Sequence, residues 1–250
     1  MGCGGKRFLG SEKRIIMFSQ LVNDLQKSAD PERAKNLSWF FKTGKGEYGE
    51  GDVFVGITVP RLREISKKYQ ELDLKYLQEL LNSKIHEYRL SALMILRFKY
   101  SSFAKASEDR QKEVVLFYLK NTKQINNWDL VDLSCHYILG NFLLDKNRKI
   151  LYVLAKSKNL WEKRISIITT FAFIRNNDFV DAIKISEILM NDKHDLIHKA
   201  VGWALREIGK KNKKTEINFL NKHHKAMPRT MLRYAIEKFS DRERKFYLDK

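Results

Sequence analysis

Asp132 stands where the chain's own internal pattern calls for a basic residue. Five segments share one local order of charge, apolar residue and small residue: Arg89-Leu90-Ser91, Asp132-Leu133-Ser134, Arg164-Ile165-Ser166, Lys199-Ala200-Val201 and Arg233-Tyr234-Ala235. Their charged positions are 43, 32, 35 and 34 residues apart, the period of two-helix repeats. Four of the five charges are positive. A lone carboxylate on a basic row faces whatever anion the row attracts, which makes it a candidate for chemistry. Trp128 precedes Asp132 by four residues, and Arg206 follows Trp203 by three, so each pair shares a helix face. Trp203 follows Lys199 as His136 follows Asp132. The pattern therefore groups Trp128, Asp132, Arg164, Lys199, Trp203 and Arg206 near one surface. Each has a plain alternative: a core tryptophan, a structural ion pair, a solvated repeat arginine.

Other chemistries find little support. His136, His194 and His198 lack ligand spacing with Cys or Glu, so no metal is expected. No Ser-His-Asp grouping stands out, and Glu162 and Glu207 read as helix-surface charges. The glycines of Thr43–Asp52 lack the spacing of a nucleotide-phosphate loop, and no Gly-Lys-Ser/Thr opens a helix after them. Two distant cysteines, Cys3 and Cys135, make neither a disulfide scaffold nor a zinc site and point to a reducing compartment. No run approaches the roughly 20 apolar residues that span a bilayer. No cofactor is expected.

The elements that must position these residues are helical. Helical apolar spacing runs through 85–98, 128–144, 196–208 and 230–239, while 165–174 is nearly all apolar and predicts a helix buried on several sides. The three prolines, Pro31, Pro60 and Pro228, fall where helices begin or connections end. Gly209 reads as a helix terminator. The glycine-rich stretch 43–52 reads as a loop near the ligand face. Residues 1–12 read as a disordered tail or an early start, and 13–250 as a single domain. A helix pair cannot bury its apolar face alone, so pairs stack into an all-α solenoid whose concave face collects one equivalent position per repeat.

Composition names the partner class. The chain has 250 residues and a formal charge of +18, from 48 basic and 30 acidic residues. Residues 201–250 hold 14 Lys/Arg and 6 Asp/Glu, so the last fifth is the most basic. Such an excess favours a polyanion: nucleic acid first, an anionic membrane surface second.

Several strings now occur together and in order. They are Trp128-Asp129-Leu130-Val131-Asp132-Leu133-Ser134, Trp161-Glu162-Lys163-Arg164-Ile165-Ser166-Ile167 and Thr170-Phe171-Ala172-Phe173-Ile174-Arg175, then the 198–207 stretch around Gly202-Trp203 and the 227–235 stretch around Met227-Pro228. With them the chain closely resembles the AlkD-type bacterial DNA alkylation repair glycosylases, built from HEAT-like repeats, over about residues 20–248. The resemblance implies hydrolysis of the N-glycosidic bond of cationic alkylated purines, 3-methyladenine and 7-methylguanine, without extruding the base. It implies that Asp132 is the catalytic carboxylate, that Trp128 and Trp203 flank the lesion's sugar and backbone, and that Arg164 and Arg206 hold phosphates. The basic row adds Lys199 and Arg233 as DNA contacts. The aromatic that the family's N-terminal helices contribute stays open among Phe40, Phe41 and Tyr48.

These residues suit that chemistry. Breaking the bond develops positive charge on the deoxyribose, which a carboxylate and aromatic faces stabilise. A cationic base leaves neutral, so no general acid is needed. The expected partner is double-stranded DNA carrying alkylated bases, held through phosphates with strong salt dependence. The expected protein is a cytoplasmic, nucleoid-associated monomer with no obligate protein partner and no membrane. The rival readings are a non-catalytic HEAT-repeat binder of distorted or branched DNA, which has no need of Asp132, and a protein-interaction scaffold, which has no salt-dependent DNA affinity.

Overall fold

The computed structural model describes residues 10–103 and 107–249. Of the expected tail, residues 1–9 lie outside the described residues, while Ser11 and Glu12 already belong to the first helix. The fold is all-α. Among the described residues no strand forms, and a single parallel bridge joins Val53 and Ile85. The chain packs as two compact units, Met1–Phe117 and Tyr118–Lys250.

The first unit holds α1 (Ser11–Lys27), α2 (Pro31–Phe40), α3 (Val59–Lys68), α4 (Leu74–Leu81), α5 (His86–Phe103) and most of α6 (Glu108–Lys120). Pro31 and Pro60 sit in the first turns of α2 and α3, where their missing N–H costs nothing. Asp30 and Thr58 cap those turns by accepting the amides of Arg33 and Arg61. The glycine-rich stretch is a run of turns. Gly46 and Gly51 take φ of +80° and +86° there, which a side chain would strain. The stretch is tied down at its end by Asp52, whose buried carboxylate accepts from Arg89 Nη2 at 2.7 Å and lies 3.2 Å from His86 Nδ1. Just beyond, Glu87 accepts the amides of Val55, Gly56 and Ile57. Three loop amides thus converge on Glu87, and two further side chains of the same helical turn, His86 and Arg89, meet the loop's Asp52; these polar contacts replace the apolar ones a glycine-rich segment cannot make.

The second unit holds α7 (Trp128–Asp132), α8 (Lys149–Ala155), α9 (Leu160–Thr169), α10 (Phe171–Arg175), α11 (Val180–Leu189), α12 (Asp195–Lys211), α13 (Lys213–His223), α14 (Arg229–Ala235) and α15 (Asp241–Leu248). They stack as pairs. One row runs α7, α9, α12, α14, each packed on the next; α8 and α11 pack together behind α9 and α12, and α13 backs α12. Asp132, Arg164, Lys199 and Arg233 lie on the successive helices of the first row, as their period requires. Gly202 lets α12 and α14 approach closely. A Cβ there would come within 2.4 Å of the Met231 carbonyl oxygen.

Three expectations need correction. The predicted helix over 128–144 is broken: α7 ends at Asp132, a turn follows, and His136–Gly140 winds as a π-helical turn. Ser134 lies at the break, its hydroxyl turned back onto the Leu130 carbonyl. The apolar run 165–174 is two helices meeting at Thr170, whose Oγ1 donates to the Ile167 carbonyl at 2.6 Å. Gly209 does not end its helix, since α12 continues to Lys211. Its small size serves packing instead: a Cβ would collide with the Glu216 carboxylate at 1.7 Å.

Candidate active site

Asn127 starts the site. Its side chain accepts the Trp128 amide at 2.8 Å and so fixes where α7 begins. One turn later α7 delivers Asp132 at its last residue, pointing at α9. Arg164 meets it from α9 with a two-pronged bond: Nε donates to Oδ1 at 2.8 Å and Nη2 to Oδ2 at 2.7 Å. The third prong, Nη1, donates to the Leu196 carbonyl at 2.6 Å, in the first turn of α12. One guanidinium therefore ties three successive row helices together. The odd sign in the repeat has a direct cause: the carboxylate of one repeat pairs with the arginine of the next.

This placement differs from the expectation of Arg164 as a phosphate ligand. The residue is only 5% exposed, and its donors are turned onto Asp132 and Leu196. Sequence spacing revealed that it shares a face with Asp132, but not that the two would pair. The carboxylate is less covered than its partner, with 11% of the Asp132 side chain exposed against 6% for Arg164.

Burial pushes the Asp132 carboxyl up from the ordinary aspartate value; Arg164 opposes the rise by charge and hydrogen bonding, and Asp129 adds to it. The geometry favours the ionised form. Both oxygens accept from a guanidinium, so a proton on either would face an N–H. Each oxygen keeps a second lone pair for another donor.

The remaining residues expected at the site have different surroundings. Trp128 is half-buried, one turn before Asp132. Trp203, also half-buried, stands edge-on to Phe171 of α10, with ring centres 4.7 Å apart and planes at 87°. Phe171 in turn lies 6.3 Å from the ring of His136, the residue one turn after Asp132. Lys199 pairs with Asp195 at 2.9 Å and not with Asp132. Arg206 contacts Glu237 of the following repeat. Arg233 is exposed and makes no ion pair among the described residues.

Two residues read from sequence as surface charges have defined partners. Glu162 accepts from Thr122 at 2.8 Å and from Ser157 at 2.5 Å. Glu207 accepts the Trp203 indole N–H at 3.0 Å and Lys210 at 2.6 Å. The four-residue step from Trp203 to Glu207 was the available signal. Cys135 is buried and free, and burial raises its thiol pKa, so it is no nucleophile. Among the described residues no His/Cys/Asp/Glu cluster could hold a metal ion.

In the first unit, Phe41 is buried against Phe54 and His86, whereas Phe40 is 55% exposed. Its neighbour Trp39 is 84% exposed. Both line an open cavity of about 600 Å³ with Lys42, Thr43 and Glu47.

A stack of helix pairs carrying a bonded carboxylate and guanidinium on adjacent repeats defines an all-α repeat protein with a polar site on one row. The family model described as DNA alkylation repair enzyme matches residues 21–239, and the chain belongs to that family. No curated protein matches it. A similar solved structure is that of a predicted DNA alkylation repair enzyme from Enterococcus faecalis. It is 18% identical with a TM-score of 0.67, over 86% of this chain and 98% of that one, a likeness of fold. No helix among the described residues is long and apolar enough to cross a membrane. The family gives the chain a role in repair of alkylated DNA.

Proposed function

We propose that this protein is an AlkD-type DNA N-glycosylase that excises cationic alkylated purines such as 3-methyladenine and 7-methylguanine, leaving the base stacked. The observation that carries the reading is Asp132: a carboxylate oriented through both oxygens by Arg164 and partly exposed, on a row of otherwise basic repeat positions.

In the reaction the C1′–N bond breaks with its electron pair going to the base, which leaves neutral because it was cationic. The sugar is left as an oxocarbenium ion. Asp132 stabilises that charge, and the lone pairs Arg164 does not use accept from the attacking water. The water adds to C1′ and gives up its proton to Asp132 or to solvent. Trp128 and Trp203 supply electron-rich faces for the same cation. Arg164 acts as a positioning residue, holding both carboxylate oxygens. Lys199, Arg206 and Arg233 serve phosphate binding; for Arg206 a phosphate exchanges with Glu237. The site needs no cofactor or metal, and a monomer acting on duplex DNA suffices.

The test is release of 7-methylguanine or 3-methyladenine from methylated duplex DNA. Wild type releases them, and Asp132→Asn does so far more slowly while still binding DNA. Tight, salt-dependent binding by a wild type that releases nothing would establish the non-catalytic binder of distorted or branched DNA instead.

A further inference from the structure

We propose that Glu207 is a positioning residue for the reaction, holding the plane of the Trp203 indole; this rests on the glycosylase reading above.

The argument begins with the helix. Trp203 and Glu207 are four residues apart on α12, so the carboxylate reaches back along the same face. Its Oε1 accepts the only polar hydrogen of the indole, Nε1–H, at 3.0 Å. That bond lies in the ring plane. Phe171 meets the ring from another direction, with planes at 87°. An indole has two side-chain torsions, and these two contacts restrain both. Phe171 is itself only 6% exposed, so its position is set by the core.

The ring's direction matters because the attraction between a cation and an aromatic ring acts through the face and is lost at the edge. A half-buried tryptophan free to change rotamer presents its face only part of the time.

Electrostatics makes the case stronger. The same Glu207 oxygen lies 2.6 Å from Lys210 Nζ and 3.8 Å from Arg206 Nε. It therefore subtracts positive potential where a phosphate would bind. A carboxylate placed for DNA affinity would not stand here. One placed to hold the indole must stand within reach of Nε1, and Lys210 in turn keeps its oxygen in place.

Two substitutions separate these roles, because both remove the charge and only one removes the acceptor. Glu207→Gln keeps an oxygen for the indole; Glu207→Ala does not. Single-turnover release of 7-methylguanine by Glu207→Ala is expected to slow about 10-fold. Glu207→Gln stays within about 2-fold of wild type. Both bind DNA as tightly as wild type or a few-fold more tightly, with the melting temperature as a check of folding. In a Trp203→Phe background, which has no indole N–H, Glu207→Ala has no further effect. Equal rates for Glu207→Ala and Glu207→Gln, or full additivity with Trp203→Phe, would overturn the proposal while wild type remains active. A wild type that releases no methylated purine overturns the glycosylase reading itself.

Discussion

The two units contain the same pair in two settings. Arg89 in the first unit and Arg164 in the second occupy equivalent repeat positions. Each grips an aspartate and a backbone carbonyl: Arg89 holds Asp52 and Ser83, Arg164 holds Asp132 and Leu196. The surroundings differ. Asp52 is 3% exposed and has His86 at 3.2 Å, with Phe54 stacked on the histidine ring at 4.6 Å. Asp132 has Arg164 and, among the described residues, no second cation paired with it, and its side chain is 11% exposed. The first pair is a sealed rivet for a glycine-rich loop. The second leaves its carboxylate less covered, as the proposed glycosylase role requires. Residue type and repeat position do not distinguish the two pairs; what covers the acid does.

The comparison breaks or holds on four experiments. The largest effect is on stability. Arg89→Ala and Arg164→Ala each strand a buried carboxylate, at a cost of about 3–5 kcal/mol in denaturant unfolding. A loss confined to Arg164→Ala would show that Asp52 finds other partners. Weaker DNA binding by a fully stable Arg164→Ala would return that residue to phosphate contact.

Next comes activity. Asp132→Asn is expected to cut 7-methylguanine release by about 10²–10³-fold with DNA binding kept. Asp52→Asn, in the sealed pair, lowers the melting temperature and leaves the rate per folded molecule unchanged. Equal rate losses from both would erase the distinction between rivet and reactive acid.

A third buried carboxyl sharpens the comparison because it lacks an arginine. Glu216 is 2% exposed, and its Oε1 has no hydrogen-bond partner among the described residues. Burial pushes its pKa up to about 8, with Lys213 and Arg206 opposing. The folded state thus keeps a proton that the unfolded chain loses near its ordinary value of 4.5. The stability this proton contributes is fully present below that value and is lost as pH rises through about 8. The slope approaches about 1.4 kcal/mol per pH unit. Glu216→Gln removes it, as melting curves across that window would show. An unchanged slope would mean that Glu216 is ionised in the fold.

The smallest effect is at the rim. Arg233→Ala removes an exposed cation, so the slope of log affinity against log salt becomes shallower by about 1 with release chemistry intact. An unchanged slope would take Arg233 out of the phosphate contacts.

Much of the fold was legible in the chain. The helices around 85–98, 196–208 and 230–239, the roles of Pro31 and Pro60, and the loop character of 43–52 follow from apolar spacing and backbone chemistry. Two stretches that apolar periodicity runs together are each interrupted, at Ser134 and at Thr170, because that periodicity counts side-chain hydrophobicity and carries no signal for a local change in backbone winding. Gly209 misled for a related reason. Glycine ends helices through backbone freedom, but here it is required by a carboxylate packed against it from α13. Within the site, Trp128 and Asp132 were visible as one helix face. The Trp203–Glu207 bond shows in the sequence only as a four-residue spacing, which an ordinary helix-surface charge shares.

By itself the sequence determined the charges, their period and the single reversal of sign at Asp132, since these are properties of residue order on helices of known pitch. The tertiary structure alone decided which charges meet and how much of each is covered. Asp132 and Arg164 are 32 residues apart, and whether they bond depends on the rotation of α7 and α9 about their own axes. That rotation is set by the whole packed interface and not by either segment.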